Sequence, residues 1–397
     1  MATGVPSKRR GSGLTYSLHY PGKMPRSEVL ALPAVEPSEV AVPGGAGRLF
    51  QGDNLSTMLW LRSLPDLCGK IRSVYIDPPY ATAMAFVDRD ALHSYDDHLD
   101  GAEYLEVLRR RLIALHSLLA EDGSIFVHLD QNMIFEAKIL MDEVFGRENF
   151  RNFITRKKCN TKNYTRKAFG NIADHILFYS KTDNYVWNRP YDEWTDEKSD
   201  EEYPCIDSGS GRRYKKVPVH APGVRRGATG KPWRDKLPPP GKHWQYPPSK
   251  LDELDAAGEI YWSPTGNPRR KVFFDVSKGI PIQDIWMGHR DPHNQNIQIT
   301  GYPTEKNFDL VSRIVAATSN PGDWVLDCYC GSGTTLEAAA TLGRLFIGID
   351  IGDSAIKATV KRLTEGRGPM GDFVNVRGNG KKSKPSEDLF TVHANGG

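Results

Sequence analysis

The sequence lacks long hydrophobic runs. No apolar stretch approaches the roughly 20 residues that a membrane-spanning helix needs, and hydrophobic residues make up 39% of the 397 residues, as in ordinary globular proteins. The N-terminal stretch MATGVPSKRRGSG is basic but has no apolar segment behind it, so it predicts no secretory signal. We therefore expect a cytoplasmic protein with no membrane partner.

Cysteine is also scarce. The five cysteines are scattered and odd in number, which argues against a disulfide framework. Cys328 and Cys330 have C-x-C spacing, and His289 and His293 lie upstream, but no second C-x-x-C or H-x-x-x-H element completes a tetrahedral zinc site. We predict no metal site.

The net charge is only +3, yet the positive charge is concentrated in two stretches. Residues 151–170 contain seven Lys or Arg and no acid, and residues 205–250 contain eleven Lys or Arg against two acids. Such clustering fits a polyanionic partner, and it fits a solvated basic surface equally well.

Strands and helices alternate over much of the chain. RSVYID and SIFVHLD have the composition of strands, leucines recur at helical spacing over residues 102–120, and EDG at 121–123 predicts a turn. The alternation stops after about residue 183 and resumes near 305, where DWVLDCY and RLFIGID are further predicted strands. The pattern predicts an α/β fold with a doubly wound, mostly parallel sheet covered by helices on both faces.

Breaks in this pattern divide the chain into five segments. They are an irregular N-terminal arm (1–47), a first half of the α/β domain (48–183), an insertion rich in basic, aromatic and proline residues (184–300), a second half (301–365) and a C-terminal tail (366–397). The aromatic residues Trp233, Trp244, Tyr246 and Trp262 either contact a ligand or form the core of the insertion, which is the commoner position for tryptophan.

The stretch from Trp324 to Asp350 has the order of a nucleotide-binding site. A strand ends at Asp327, a turn with Gly331 and Gly333 follows, a helix begins at Thr334, and a second strand ends at Asp350. Small residues let the backbone approach a ligand, and an acid at the end of the second strand can accept hydrogen bonds from ribose hydroxyls. A nicotinamide-dependent oxidoreductase would usually have a third glycine, G-x-G-x-x-G, which this stretch lacks.

Two motifs resemble those of a known enzyme family. DPPY at 77–80 and DCYCGSGTT at 327–335 are similar to the catalytic and cofactor motifs of DNA amino-methyltransferases that use S-adenosylmethionine. The catalytic motif comes first, as in the permuted β group, and similar segments follow in the family's order from about 48 to 363. The chain most resembles the modification subunits of type III restriction systems and their solitary relatives. The resemblance implies a Rossmann-like methyltransferase fold in which the insertion is the target-recognition region for double-stranded DNA.

The chemistry of such enzymes gives the DPPY residues a role. An exocyclic amino nitrogen is a poor nucleophile because its lone pair is delocalised into the ring. By resemblance, Asp77 and the carbonyl of Pro78 would accept its two N–H bonds, while Pro78 and Pro79 hold the backbone rigid. Tyr80 would stack on a base flipped out of the duplex. The alternative interpretation of these residues is a turn that ends a strand.

The resemblance also implies which residues bind the cofactor. Asp350 would bind the ribose, and Lys306 with Thr304 in PTEK would orient the carboxylate. The remaining residues expected at the cofactor are Asp53, Asp327, Cys330, Gly331, Gly333 and Thr334. The alternatives are a helix-capping role for Asp53 and a solvated Lys306. The chain departs from the family's usual Asp-Pro-Phe at Asp327, Cys328 and Tyr329, and from its usual proline at Asn307.

We predict methyl transfer from S-adenosylmethionine to the N6 amino group of adenine in DNA, because family members with Asp before Pro-Pro-Tyr usually act on adenine. The nearest alternative is an N4-cytosine enzyme, and the remoter ones are a non-catalytic DNA-binding module and a nucleotide-dependent oxidoreductase. The chain has no helicase or nuclease motif, so cleavage would require a separate restriction subunit. The sequence leaves open whether the chain forms a homodimer. DNA binding implies association with the nucleoid.

Overall fold

The computed structural model describes residues 16–79, 101–160, 167–289 and 305–366, and also four short strands outside these ranges. The chain divides into two compact units, a larger one from residues 1–188 and 283–397 and a smaller one from residues 189–282. The smaller unit is shorter at both ends than the insertion expected from the sequence. None of the helices in the described ranges has the length and apolar character needed to cross a bilayer.

The regular elements are numbered in chain order. The helices are α1 (Arg26–Val29), α2 (Asn54–Ser63), α3 (Gly101–Leu118), α4 (Ile134–Phe145), α5 (Asp196–Glu202), α6 (Pro248–Ala256), α7 (Phe308–Thr318), α8 (Thr334–Thr341) and α9 (Asp353–Glu365). The strands are β1 (Ser38–Val40), β2 (Gly47–Gln51), β3 (Ile71–Ile76), β4 (Phe86–Val87), β5 (His93–Tyr95), β6 (Leu119–Leu129), β7 (Phe150–Lys157), β8 (Ala173–Ser180), β9 (Tyr191–Asp192), β10 (Cys205–Ile206), β11 (Arg213–Pro218), β12 (His220–Pro222), β13 (Lys242–Trp244), β14 (Ile260–Trp262), β15 (Pro268–Phe273), β16 (Ile280–Pro281), β17 (Ile285–Trp286), β18 (Gln298–Ile299), β19 (Trp324–Asp327), β20 (Leu345–Asp350) and β21 (Gly368–Pro369).

The larger unit is built on one mixed sheet. In the described part of the chain its strands lie in the order β1-β2-β20-β19-β3-β6-β8-β7-β17. The pairs from β2 through β20, β19 and β3 to β6 are all parallel, whereas β1 and β8 are antiparallel to their neighbours. The predicted α/β fold with a mostly parallel sheet is confirmed. The antiparallel direction of β8 was not predicted, because an apolar strand has the same composition in either direction.

Helices cover both faces of this sheet. Helix α2 packs on α3 and α3 on α4, whereas α7 packs on α8 and α8 on α9. Val74 and Ile76, which point to one face of β3, belong to the same apolar cluster as the buried side chains of α2, α3 and α4. Because successive side chains of a strand point to opposite faces, the second group of helices covers the other face.

The predicted turn at residues 121–123 lies within the bounds of β6. Its pairing with β3 jumps from Ile71 opposite Leu119 to Ser73 opposite Ser124, so the intervening residues bulge out of the ladder. A Cβ at Gly123 would lie 2.8 Å from the Ile71 carbonyl oxygen, which explains why glycine stands there. The turn and the strand are therefore one bulged element.

The connections of the central strands diverge at one point. Strand β19 leads through α8 to β20, and β3 leads through α3 to β6, yet β20 and β6 lie on opposite sides of the pair β19 and β3. Parallel sheets of this kind open a crevice at the carboxyl ends of the strands where the connections diverge. The fold therefore places the ends of β19 and β3, which carry Asp327 and Asp77, at the edges of one crevice.

Part of the segment expected to be an irregular N-terminal arm is regular and held in place. Strand β1 pairs with β2 at the edge of the sheet. The Tyr16 hydroxyl donates to Asp142 at 2.6 Å, the Tyr20 hydroxyl donates to Glu106 at 2.8 Å, and Lys23 lies 2.7 Å from Glu143. These polar contacts with α3 and α4 have no periodic sequence pattern, which is why composition alone suggested a loose arm.

The smaller unit has its own sheet and core. Strands β10, β11, β15 and β14 form an antiparallel sheet. Trp233 and Trp244 are each only 2% exposed and pack with Leu251, while the partly buried Trp262 stacks on Trp233. The indole nitrogens of all three donate hydrogen bonds within the unit. Of the two interpretations left open for these tryptophans, the structure supports the core.

Candidate active site

Four acids stand at the carboxyl ends of adjacent parallel strands. Asp53 follows β2, Asp350 ends β20, Asp327 ends β19 and Asp77 follows β3. The strands are neighbours in that order, so their ends meet at one edge of the sheet. Two predicted site residues, Tyr80 and Thr304, lie outside the described residues.

Asp77 is paired with a lysine from the far side of the insertion. The Lys306 Nζ lies 2.8 Å from Asp77 Oδ2, and the two side chains are only 11% and 20% exposed. Pro78 is buried and Pro79 half-buried directly after the acid. The sequence placed Lys306 with the cofactor carboxylate, whereas the structure pairs it with Asp77.

The glycine turn after β19 folds around Asp350. The Gly331 amide donates to Asp350 Oδ2 and the Gly352 amide to Oδ1, each at 2.9 Å. Gly331 and Gly333 have φ values of 50° and 78°, in the region that favours glycine. A Cβ at Gly333 would also lie 2.9 Å from the Thr359 side chain. The turn therefore requires glycine at both positions.

Asp327 is buried beneath this turn. Its carboxylate accepts hydrogen bonds from the Tyr329 amide at 3.0 Å and from the Thr335 hydroxyl at 2.5 Å. Burial raises the pKa of Asp327 to about 7, and the carboxylates of Asp77 and Asp350 add to the rise against those two hydrogen bonds.

The pKa of Asp350 is also raised, mainly by burial. Carboxylates whose ionisation is disfavoured in this way favour a ligand that brings positive charge or hydroxyl donors. S-adenosylmethionine offers both, a sulfonium and a ribose, so the acids at this edge of the sheet fit it. Thr334 and Cys330 flank the same turn and are buried.

Asp53 caps a helix and also takes part in a wider hydrogen-bond network. Its Oδ1 accepts from the Ser56 amide at the start of α2, and its Oδ2 lies 3.2 Å from Arg111 Nη2. Arg111 also donates to Asn54 at 2.5 Å, and Asn54 donates to the Cys328 carbonyl at 2.8 Å. Asp53 therefore does cap helix α2, as the alternative interpretation held. Through Arg111 and Asn54 it is also linked to the loop after β19.

A second polar network, which the sequence did not reveal, lies beside Asp77. The Tyr75 hydroxyl is 2.7 Å from His128 Nδ1, His128 Nε2 is 3.6 Å from Asp174, and Lys158 is 2.8 Å from Asp174. Burial lowers the pKa of His128, and the neighbouring Asp174 carboxylate opposes this shift. Tyr75 and His128 lie on strands whose composition is largely apolar, and nothing in the spacing of these residues indicates the network.

Cys328 and Cys330 are both buried at the end of β19, and burial raises the pKa of each thiol well above its usual value. In the ranges that the structure describes, no three His, Cys, Asp or Glu side chains are placed to hold a metal ion.

Comparison with known proteins identifies the family. The N6/N4 methyltransferase family, described as DNA methylase, matches residues 71–361, which include Asp77, Asp327 and Asp350. The chain belongs to this family of DNA methylases. Membership confirms the family that the two motifs resemble and the S-adenosylmethionine cofactor expected for it.

Three relatives show how far the similarity extends. This DNA methylase is 48% identical over 383 residues to the type II methyltransferase M.EcaI of Enterobacter cloacae, covering 94% of this chain and 83% of that protein. It is 26% identical over 357 residues to the StyLTI Mod subunit, part of a type III restriction-modification enzyme of Salmonella typhimurium, covering 80% of this chain and 53% of that subunit. The chain thus spans about half the length of the Mod subunit. A shorter match of 62 residues is 50% identical to the DNA adenine methyltransferase YhdJ of Escherichia coli, covering 16% of this chain and 21% of that protein.

Proposed function

We propose that this DNA methylase transfers a methyl group from S-adenosylmethionine to the N6 amino group of a flipped adenine at a specific DNA sequence. The observation that carries the proposal is the Asp77 carboxylate at the central crevice, oriented by Lys306 at 2.8 Å. Two further observations support adenine over cytosine. The motif begins with Asp, as it usually does in adenine enzymes, and one relative is named as acting on adenine.

Asp77 acts as a hydrogen-bond acceptor in this proposal. A carboxylate that accepts one N–H of the amino group, together with the Pro78 carbonyl that accepts the other, draws electron density toward the nitrogen and favours a tetrahedral geometry. Lys306 fixes the rotation of the Asp77 side chain, so the acceptor is already in position when the base arrives. Tyr80 would hold the flipped base by stacking.

The other acids and the glycine turn hold the cofactor. Asp350 accepts hydrogen bonds from ribose hydroxyls with lone pairs that the Gly331 and Gly352 amides leave available, since a carboxylate accepts about four hydrogen bonds. Cys330, Gly331, Gly333 and Thr334 form the surface under the methionine part, and Thr304 would orient its carboxylate, as the family resemblance implies. Asp53 and Asp327 complete the set of acids at this edge of the sheet. When bound, the cofactor supplies the electrophilic methyl group, and binding both reactants in line provides much of the acceleration.

The smaller unit, residues 189–282, is proposed as the core of the target-recognition region. Its sheet carries cations over aromatic rings, with Lys216 Nζ 3.8 Å from the centre of the Tyr261 ring and Arg212 4.2 Å from that of Phe273. Cations held in this way on a surface are suited to DNA phosphates, which fix the position of a protein on the duplex. The buried tryptophans stabilise the unit and leave base reading to other side chains.

Partners other than DNA are also proposals. A separate restriction subunit would be needed for cleavage, and one relative is named as the Mod subunit of a type III restriction-modification enzyme. A homodimer and a cytoplasmic, nucleoid-associated location stay predictions. Size-exclusion chromatography with light scattering would determine the oligomeric state.

Nucleoside analysis tests the proposed function. The full chain is incubated with methyl-labelled S-adenosylmethionine and DNA of mixed sequence, and the digested nucleosides are separated by mass spectrometry. The proposal predicts label in N6-methyladenine. Label in N4-methylcytosine would support the cytosine alternative, DNA binding without transfer would support a non-catalytic module, and binding of a nicotinamide cofactor in place of S-adenosylmethionine would support an oxidoreductase. Single-molecule sequencing of DNA from an expressing host would then give the sequence context.

A further inference from the structure

Arg362 on α9 is a buried arginine beside the glycine turn. Its side chain is fully buried, which is rare for arginine without compensating partners. Its Nε donates to the Ser332 carbonyl at 2.6 Å, Nη1 donates to Glu337 at 2.7 Å, and Nη2 contacts both the Ser332 hydroxyl and the Glu305 carboxylate. The guanidinium therefore uses its planar fork of donors on three different segments.

One of these segments is the proposed cofactor turn. Ser332 lies between Gly331 and Gly333, so the hydrogen bond to its carbonyl fixes the centre of the cofactor turn. Thr359, one helical turn before Arg362, donates to the Gly331 carbonyl at 2.8 Å and so anchors the same turn from the same face of α9.

The contact of Arg362 with Glu305 leads to the Asp77 side of the crevice. Glu305 is adjacent in sequence to Lys306, whose ammonium lies 2.8 Å from Asp77. Glu305 is 8% exposed, so its ion pair with Arg362 is shielded from solvent and fixes the backbone where Lys306 begins. A continuous set of contacts thus runs from the cofactor turn through Arg362, Glu305 and Lys306 to Asp77.

We propose that Arg362 is a positioning residue that couples the cofactor turn to the Asp77 carboxylate. It holds the turn through Ser332 and holds the Lys306 ammonium in place through Glu305, so that the cofactor site and the base site are ordered together. This role rests on the proposed function, because it assigns the two ends of the network to the cofactor and to the target base.

A purely structural ion pair would also be buried, so the test must separate stability from coupling. The test variant is Arg362→Lys, which keeps the positive charge but cannot hold Ser332, Glu337 and Glu305 at once. The matched control is Arg344→Lys. Arg344 is also a buried arginine, 8% exposed, and it donates to the Ser319 carbonyl at 2.6 Å, at the opposite end of the sheet from the acids.

Four quantities are measured on the full chain. Two are measured without cofactor: the melting temperature and the hydrogen exchange of the amides in residues 329–334. The other two are the Kd for S-adenosylmethionine and the single-turnover rate of methyl transfer with cofactor and DNA saturating. Both variants lower the melting temperature. Arg362→Lys alone speeds exchange in the turn, raises the Kd about tenfold and lowers the saturated rate about tenfold, consistent with loss of one or two charge-assisted hydrogen bonds. Arg344→Lys changes Kd and rate by less than about twofold.

A double-mutant cycle tests the coupling itself. Because Arg362 acts on the rate through Lys306, combining Arg362→Lys with Lys306→Met should lower the rate by clearly less than the product of the two single losses. Combining Arg344→Lys with Lys306→Met should lower it by the product. If Arg362→Lys fails to fold, Glu305→Gln takes its place and is expected to lower the saturated rate about fivefold while the cofactor Kd stays within about twofold.

The inference is overturned if Arg362→Lys, or Glu305→Gln in its place, transfers at the wild-type rate with saturated cofactor, or if the losses in the cycle multiply. Its failure is distinguishable from failure of the proposed function. An inactive wild-type chain contradicts the proposed function, whereas an active wild-type chain with a fully active variant contradicts only the role of Arg362.

Discussion

Lys306 and Asp77, which lie on opposite sides of the insertion in sequence, form an ion pair of 2.8 Å at the central crevice. The pair joins the segment after β3 to the segment before α7. In the proposed function this pair orients the Asp77 carboxylate, whereas the sequence interpretation placed Lys306 at the cofactor carboxylate. The two assignments predict different kinetics.

Replacing Lys306 by Met should lower the single-turnover rate of methyl transfer about 10- to 100-fold with cofactor saturating, because Asp77 loses the charge that orients it. Lys306→Arg, which keeps the charge, should recover part of the rate. The Kd for S-adenosylmethionine, measured by calorimetry, should change less than the rate. A variant with weakened cofactor binding and a normal saturated rate would instead favour the assignment to the cofactor carboxylate.

Replacing Asp350 by Ala should mainly weaken cofactor binding. The change removes the proposed ribose acceptor and leaves the Gly331 and Gly352 amides without their carboxylate, so we expect the Kd to rise about 10- to 100-fold. The control is Asp353→Ala, which removes an acid three residues later that is 66% exposed and paired with Lys357. Equal cofactor affinity in the Asp350 variant and the wild type would contradict the proposed contact between Asp350 and the ribose.

The buried Asp327 should make stability depend on pH in a defined direction. Its pKa is raised from about 4 to about 7 in the folded chain, so the folded state holds the proton more tightly than the unfolded state between these values. Its contribution is therefore fully present below about pH 4 and is lost as the pH rises to about 7.

Asp327→Asn isolates this effect, because an amide can keep both hydrogen bonds, accepting from the Tyr329 amide and donating to Thr335. The free energy of unfolding of the wild type, minus that of the variant, should fall as the pH rises from about 4 to about 7 in denaturant titrations. A difference that is flat across this range would mean that Asp327 ionises normally.

Trp233 should contribute to the stability of the smaller unit and not to base reading. Trp233→Ala removes a buried side chain and its hydrogen bond to Asp252 at 2.7 Å, so we expect a loss of about 3–5 kcal/mol in the free energy of unfolding. Leu237→Ala, at a side chain 68% exposed, should change it by less than about 0.5 kcal/mol. A folded, fully stable Trp233 variant that had lost DNA affinity would contradict the core assignment.

The sequence predicted the parts of the site that follow from strand ends. Asp77, Asp327 and Asp350 each end an apolar stretch, and parallel strands bring such ends to one edge, so their proximity follows from pattern and topology together. The glycines of the turn were also predictable, because no other residue readily adopts their φ values.

Contacts between distant segments could not be predicted in this way. Arg362 and Arg111 stand in helices whose periodicity explains their apolar neighbours, and nothing in the spacing shows that these arginines turn inward to hold carbonyls and acids. The antiparallel direction of β8 and the anchoring of residues 16–47 were not predicted for the same reason. The direction of a strand and the polar contacts of a segment depend on partners that are remote in sequence. The hydrophobic periodicity of a segment shows only which of its own residues are buried.

Asp77→Ala, in a single-turnover assay with labelled S-adenosylmethionine and DNA both saturating, tests the proposed role of this carboxylate most directly. Binding of cofactor and of DNA, measured separately, should stay close to wild type, while the rate of methyl transfer to adenine should fall by about 100-fold or more. Methyl transfer at the wild-type rate by this variant would contradict the central claim that the Asp77 carboxylate activates the target amino group.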